Sequence, residues 1–153
     1  MTYKVAAYVE PHYPIKKSLL VHSAEAALTA ANVKGKIEVF VSVIGDRKMR
    51  GLNKEYRGID APTDVLAFPD SLGEGKVKEF VSPPSKYLNL GDVIISYPQL
   101  INRAAKEELM VDDMAQLLVI HGVFHLLGYD HEKSEEAASM EALEDKALAS
   151  VKV

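Results

Sequence analysis

The chain has 153 residues, with 18 basic and 22 acidic side chains and a formal net charge of −4. Its composition, 48% hydrophobic and 26% charged, is that of a folded globular protein; disorder, collagen-like repeats and coiled-coil rods are excluded, and a single domain over residues 1–153 is expected. There is no cysteine, so disulfide scaffolds, thiolate zinc sites, iron–sulfur clusters and thiol nucleophiles are excluded together, and any metal must be held by nitrogen and oxygen.

The N-terminal MTYKVAAYVEPHYP has no basic lead followed by an apolar run, and no apolar run reaches the roughly 18 residues of a membrane span, so a cytoplasmic protein without a membrane partner is expected. Tyr3 to Val9 is β-rich. Pro14 to Val33 carries Ile15, Leu19, Leu20, Ala27, Leu28 and Ala31 near helical spacing. Lys36 to Gly45 alternates Ile37, Val39, Val41 and Val43 with Lys36, Glu38, Phe40 and Ser42, the period of a half-buried strand. Asp46 is placed to cap a helix over residues 46–58. Asp64 to Phe68 and Asp92 to Ser96 read as two further strands, and the turn-rich stretch from Pro69 to Leu90 between them reads as a long surface loop that could gate a site.

From Pro98 the pattern is helical, with Leu100, Ile101, Ala104, Ala105 and Leu109 forming an apolar stripe. Asp113 and Gln116 resemble a capping box opening a helix from Met114 to Leu127, apolar on nearly all sides and therefore expected to be buried. Gly128 is placed to end it in a left-handed conformation, and Ser134 to about Val151 forms a last helix. These elements predict an α+β fold: a small mixed sheet of about four strands packed with about five helices, with a metal site at the end of the central buried helix.

The segment HGVFHLLGYDH supplies that site. His121 and His125, four apart on a helix, project from one face a turn apart, the spacing at which two imidazoles bind one ion. A reversal through Gly128, Tyr129 and Asp130 can bring His131 back to close a three-nitrogen cup with one coordination position open, as in catalytic rather than structural zinc. Three imidazoles suit zinc, and also nickel or copper. The same spacing matches the metzincin proteases at every ligand position, but Gly122 stands where they carry the Glu that acts as general base. Asp130 or Glu132 could take that role or could orient a histidine ring.

A second constellation lies in DRKMRGLNKEYRG. At about 100° per residue, Arg47, Arg50, Lys54 and Arg57 fall within an arc of about 80°, opposite Met49, Leu52 and Tyr56. Four cations in a row form a local electropositive edge suited to a phosphate backbone, or else a solvated face.

HGVFHLLGYDH, with LNKEYRGIDAPTDVLAFP at 52–69 and GDVIIS at 91–96, resembles the YbeY family of bacterial rRNA maturation factors and metal-dependent endoribonucleases. Ala67 departs from the Ser found in many members. The resemblance implies a mixed α/β fold with the metal at the end of a cleft, zinc held by His121, His125 and His131, and Arg57 facing the cleft as a catalytic residue. It further implies processing of the 3′ end of small-subunit 16S rRNA and a role in ribosome quality control. The implied partners are single-stranded ribosomal RNA, small-subunit ribosomal proteins and an assembly GTPase. Two other readings stay open: a metzincin-like peptidase without the usual Glu, and a non-catalytic assembly factor stiffened by its metal.

Overall fold

Strand β2 (Ile37–Ile44) sets the layering, because its alternate residues face opposite sides. In the computed structural model, which describes residues 3–70, 87–129 and 134–151, Val39, Val41 and Val43 are fully buried on one side, while Ile44 joins a smaller cluster on the other. β2 lies between β1 (Tyr3–Val9) and β4 (Leu88–Ser96), parallel to both, and β3 (Val65–Pro69) runs antiparallel to β4 at the edge. The order is β1-β2-β4-β3.

The valine side is covered by α1 (Lys17–Ala30) and α4 (Val111–Leu126), and α5 (Ser134–Val151) packs on both of these helices as an outer layer. The opposite side carries α2 (Asp46–Arg57), whose Met49 and Leu52 pack with Ile44, Leu66, Phe68 and Ile94. α3 (Tyr97–Lys106) joins the end of β4 to α4. The expected α+β architecture, a four-stranded mixed sheet with five helices among the described residues, is therefore present. No single helix among the described residues is long and apolar enough to cross a membrane.

Three local expectations are corrected. β4 begins at Leu88, not Asp92, because a register shift opposite Glu38 and Val39 interrupts the alternation around Leu90 and hides the first half of the strand. Residues 71–86 of the expected loop lie outside the described residues. Asp46 is not the cap of α2: Gly45 is, and the Asp46 carboxylate instead accepts hydrogen bonds from Ser96 Oγ at 2.7 Å and Gln99 Nε2 at 3.2 Å, tying α2 to the start of α3. The capping box at Asp113 and Gln116 does not form, since α4 starts a turn earlier at Val111 with Met110 as its cap residue.

Helix α4 is the buried rod that its sequence requires. Met114, Leu118, Val119, Ile120, Val123 and Phe124 are buried on successive sides, against the sheet, α1 and α5. Gly122 lets it lie close to β4: a Cβ there would sit 2.6 Å from Val93 Cγ1.

Candidate functional site

α4 ends in a Schellman motif. Gly128, at φ 95°, donates its N–H to His125 O at 3.0 Å, and Tyr129 donates to Phe124 O at 3.1 Å. The Tyr129 ring packs edge-on against Phe124, the apolar contact that accompanies this motif. The left-handed stop expected at Gly128 is thus in place, directly after the histidine turn.

On the last two turns of α4, His121 and His125 face each other. Their Nε2 atoms are 3.0 Å apart and their rings meet edge-on, with centroids 4.6 Å apart. Two nitrogens sharing one tetrahedral zinc at about 2.0–2.1 Å lie about 3.3 Å apart, so a small opening of the pair admits such an ion. The other side of His121 is held as well: Nδ1 donates to Glu144 Oε2 of α5 at 2.7 Å. A neutral imidazole whose Nδ1–H donates a hydrogen bond to a carboxylate has its lone pair on Nε2, and this is the arrangement of carboxylate–histidine–metal triads. Both partners are largely covered, with side-chain exposures of 29% for His121 and 17% for Glu144.

The donor set fits a divalent transition metal: two convergent imidazole nitrogens, one with its tautomer fixed. Among the described residues no third His, Asp or Glu completes the group. The expected third ligand, His131, lies with Asp130 and Glu132 outside the described residues. The sequence reading missed Glu144, although a signal for it exists. Met140, Glu144 and Ala147 share one face of α5, and Met140 and Ala147 are each only 1% exposed, which makes Glu144 the carboxylate on the buried face.

Position 122, where a peptidase of this spacing carries its base, faces Val93 rather than the histidine pair. A glutamate there has no room without moving β4 away from α4.

The basic stripe is on the opposite layer, since Val93 packs toward α4 and its neighbour Ile94 toward α2. Arg47, Lys54 and Arg57 are exposed and have no ion pair among the described residues. Arg50 does: its Nε lies 2.7 Å from Asp60 Oδ1 and its Nη2 3.2 Å from Oδ2. That hydrogen bond, with the attraction of the two charges, raises the Arg50 pKa and lowers that of Asp60. Arg57 closes α2 just before Gly58, whose left-handed φ of 73° turns the chain toward β3.

A family model described as endoribonuclease YbeY matches residues 12–152. Relatives named endoribonuclease YbeY include one from Chloroflexus aggregans, 37% identical over 97% of this chain and 95% of its own, and one from Moorella thermoacetica, 38% identical over 91% and 90%. One from Brevibacillus brevis is 38% identical over 92% and 89%. The solution structure of a Thermotoga maritima protein has the same fold, with a TM-score of 0.60 and 22% identity over 97% of this chain and 91% of that one. The match runs from the start of α1 through the histidine turn and into α5, and the chain belongs to the YbeY endoribonuclease family.

Proposed function

We propose that this protein is a metal-dependent single-strand endoribonuclease that acts in the cytoplasm on the 3′ end of small-subunit rRNA and in ribosome quality control. Its metal is zinc or a similar divalent ion, held by His121, His125 and His131. The observation that carries the reading is the facing of His121 Nε2 and His125 Nε2 at 3.0 Å while Glu144 accepts a hydrogen bond from His121 Nδ1. Family membership supplies RNA as the substrate class, and by the same kinship small-subunit proteins and an assembly GTPase are the proposed partners.

A divalent ion held by these histidines would supply Lewis acidity and, by lowering the pKa of its water toward about 7, a nucleophile at neutral pH. The rest is done by the chain. Glu144 fixes the tautomer and the tilt of His121 and offsets the positive charge that gathers at the pair. Arg57, exposed and without an ion pair among the described residues, offsets the charge developing on the phosphorane oxygens as water adds to phosphorus and the ester oxygen leaves. Arg47 and Lys54 hold flanking phosphates. Arg50, committed to Asp60, contributes less.

The peptidase reading is disfavoured by the wall of Val93 at position 122. The test is incubation of the purified chain with single-stranded RNA and with an unstructured protein, each with and without chelator. RNA cleavage that stops with chelator supports the reading; cleavage of the protein alone overturns it.

A further inference from the structure

Beside the basic helix is a cleft of about 330 Å³ whose chemistry is not that of a phosphate track. Leu52 and Tyr56 of α2, Phe68 of β3 and Ile94 of β4 give it apolar walls, and Asp92 and Asp70 give it two carboxylates. Tyr56 rests on Phe68, ring centroids 4.7 Å apart, yet remains 55% exposed, so its outer face is free to receive another flat ring. No donor or cation among the described residues pairs with Asp92. Burial in the cleft pushes its carboxyl pKa up, and the neighbouring charge of Asp70 adds to this. Lys54 and Arg57, both exposed, are on the same helix as Tyr56.

Resting on the ribonuclease reading above, we propose that this cleft is a nucleobase pocket of the RNA site, in which a guanine stacks on Tyr56 and presents its Watson–Crick edge to Asp92. A volume near 330 Å³ is at the lower end for small-ligand pockets and suits a single base. Aromatic stacking with hydrogen bonds to the base edge is how proteins read unpaired RNA. A carboxylate has two acceptor oxygens and no donor at neutral pH. Guanine alone among the four bases sets an imino N–H beside an amino N–H to meet both oxygens, and it relieves an otherwise unpaired charge. A hydrated cation would use the carboxylates but gain nothing from four apolar side chains.

The placement agrees with the chemistry. Asp92 and Val93 are consecutive in β4 and point to opposite faces: Asp92 lines the cleft, while Val93 touches α4 at Gly122, next to His121. Among the described residues only β3 lies outside β4, one strand spacing of about 4.8 Å, so a single strand rounding that edge reaches both faces.

The test uses the intact, metal-loaded chain and nucleoside 5′-monophosphates, which contain no internal phosphodiester to cleave. GMP and IMP share a phosphate and an imino N–H and differ in the amino group. GMP is expected to bind about tenfold more tightly than IMP, with shifts in the amide resonances of Phe68 and Asp92. Asp92→Asn should bring the two within about threefold, and Tyr56→Ala should weaken both by about fivefold or more. Thermal unfolding of each variant shows that it is folded. Equal affinity for GMP and IMP, a preference surviving Asp92→Asn, or shifts produced by Mg²⁺ and not by GMP would each overturn the proposal. If the chain still cleaves RNA in those cases, the pocket alone is wrong; absence of both GMP binding and RNA cleavage removes the ribonuclease reading as well.

Discussion

Glu144 Oε2 accepts a hydrogen bond from His121 Nδ1 at 2.7 Å across the contact between α5 and α4, so the histidine turn is tied to the helix that follows it. The bond leaves His121 Nε2 facing His125. Replacing Glu144 with Gln keeps the size but loses the charge, and Glu144→Ala loses both. A carboxylate that orients a metal-bound histidine is worth about 10–100-fold in metal affinity. Zinc affinity measured by competition with a chelating dye should fall by that factor in Glu144→Ala and less in Glu144→Gln. Unchanged affinity in both would leave Glu144 a packing residue only.

Gly122 is a steric requirement of the α4–β4 contact, and this can be tested by a change of sign. Overpacking against Val93 should cost about 1–3 kcal/mol in Gly122→Ala, of which the better helix propensity of Ala returns up to about 1. In a Val93→Ala background both clashing Cγ atoms are gone, and the same Gly122→Ala change should stabilise by up to about 1 kcal/mol. Urea unfolding of the four proteins measures the cycle.

Asp92 bears on stability with a definite pH dependence. Its folded pKa is raised above the ordinary 3.8, first by burial and then by Asp70. The folded state therefore holds this proton more tightly than the unfolded chain, and stability falls as pH rises from the ordinary carboxylate pKa through the raised one. Asp92→Asn removes the ionisation, so the variant should melt higher than wild type at pH 7, and the difference should fade as pH is lowered through that window. A gain in stability from removing a charge in a cleft is the mark of a residue kept for binding.

The cations of α2 should separate by their partners. Arg57→Ala should lower turnover on single-stranded RNA by about 10²-fold while changing stability by less than about 0.5 kcal/mol, because the side chain is exposed and has no ion pair among the described residues. Arg47→Ala or Lys54→Ala should leave turnover nearer wild type and lower the salt slope of RNA binding by about 0.7 each. Arg50→Ala should lower it less, since Asp60 already occupies that guanidinium.

What could be read in the sequence follows from how local each signal is. The alternation of β2, the arc of α2 and the glycine stop at Gly128 depend on near neighbours, and each element stands within a few residues of its expected bounds. The start of β4 was hidden because its bulge breaks the two-residue period, and Gly91 reads as a turn residue. In fact Gly91 lies against β3, where a Cβ would come within 2.2 Å of Phe68 O. Asp46 looked like a cap because capping needs only three residues to evaluate, whereas its partners Ser96 and Gln99 are fifty or more positions away. Glu144 belongs to the same class. Its role depends on how α5 lies against α4, and a helix rich in acidic residues does not advertise which one is turned inward.

The central claim, that the facing imidazoles of α4 hold a hydrolytic metal, is tested most directly by metal content and RNA cleavage measured on the same purified samples. Wild type should contain about one divalent ion per chain and cleave single-stranded RNA, and His121→Ala should lose metal and cleavage together. RNA cleavage at the wild-type rate by a His121→Ala sample without metal would contradict the claim outright.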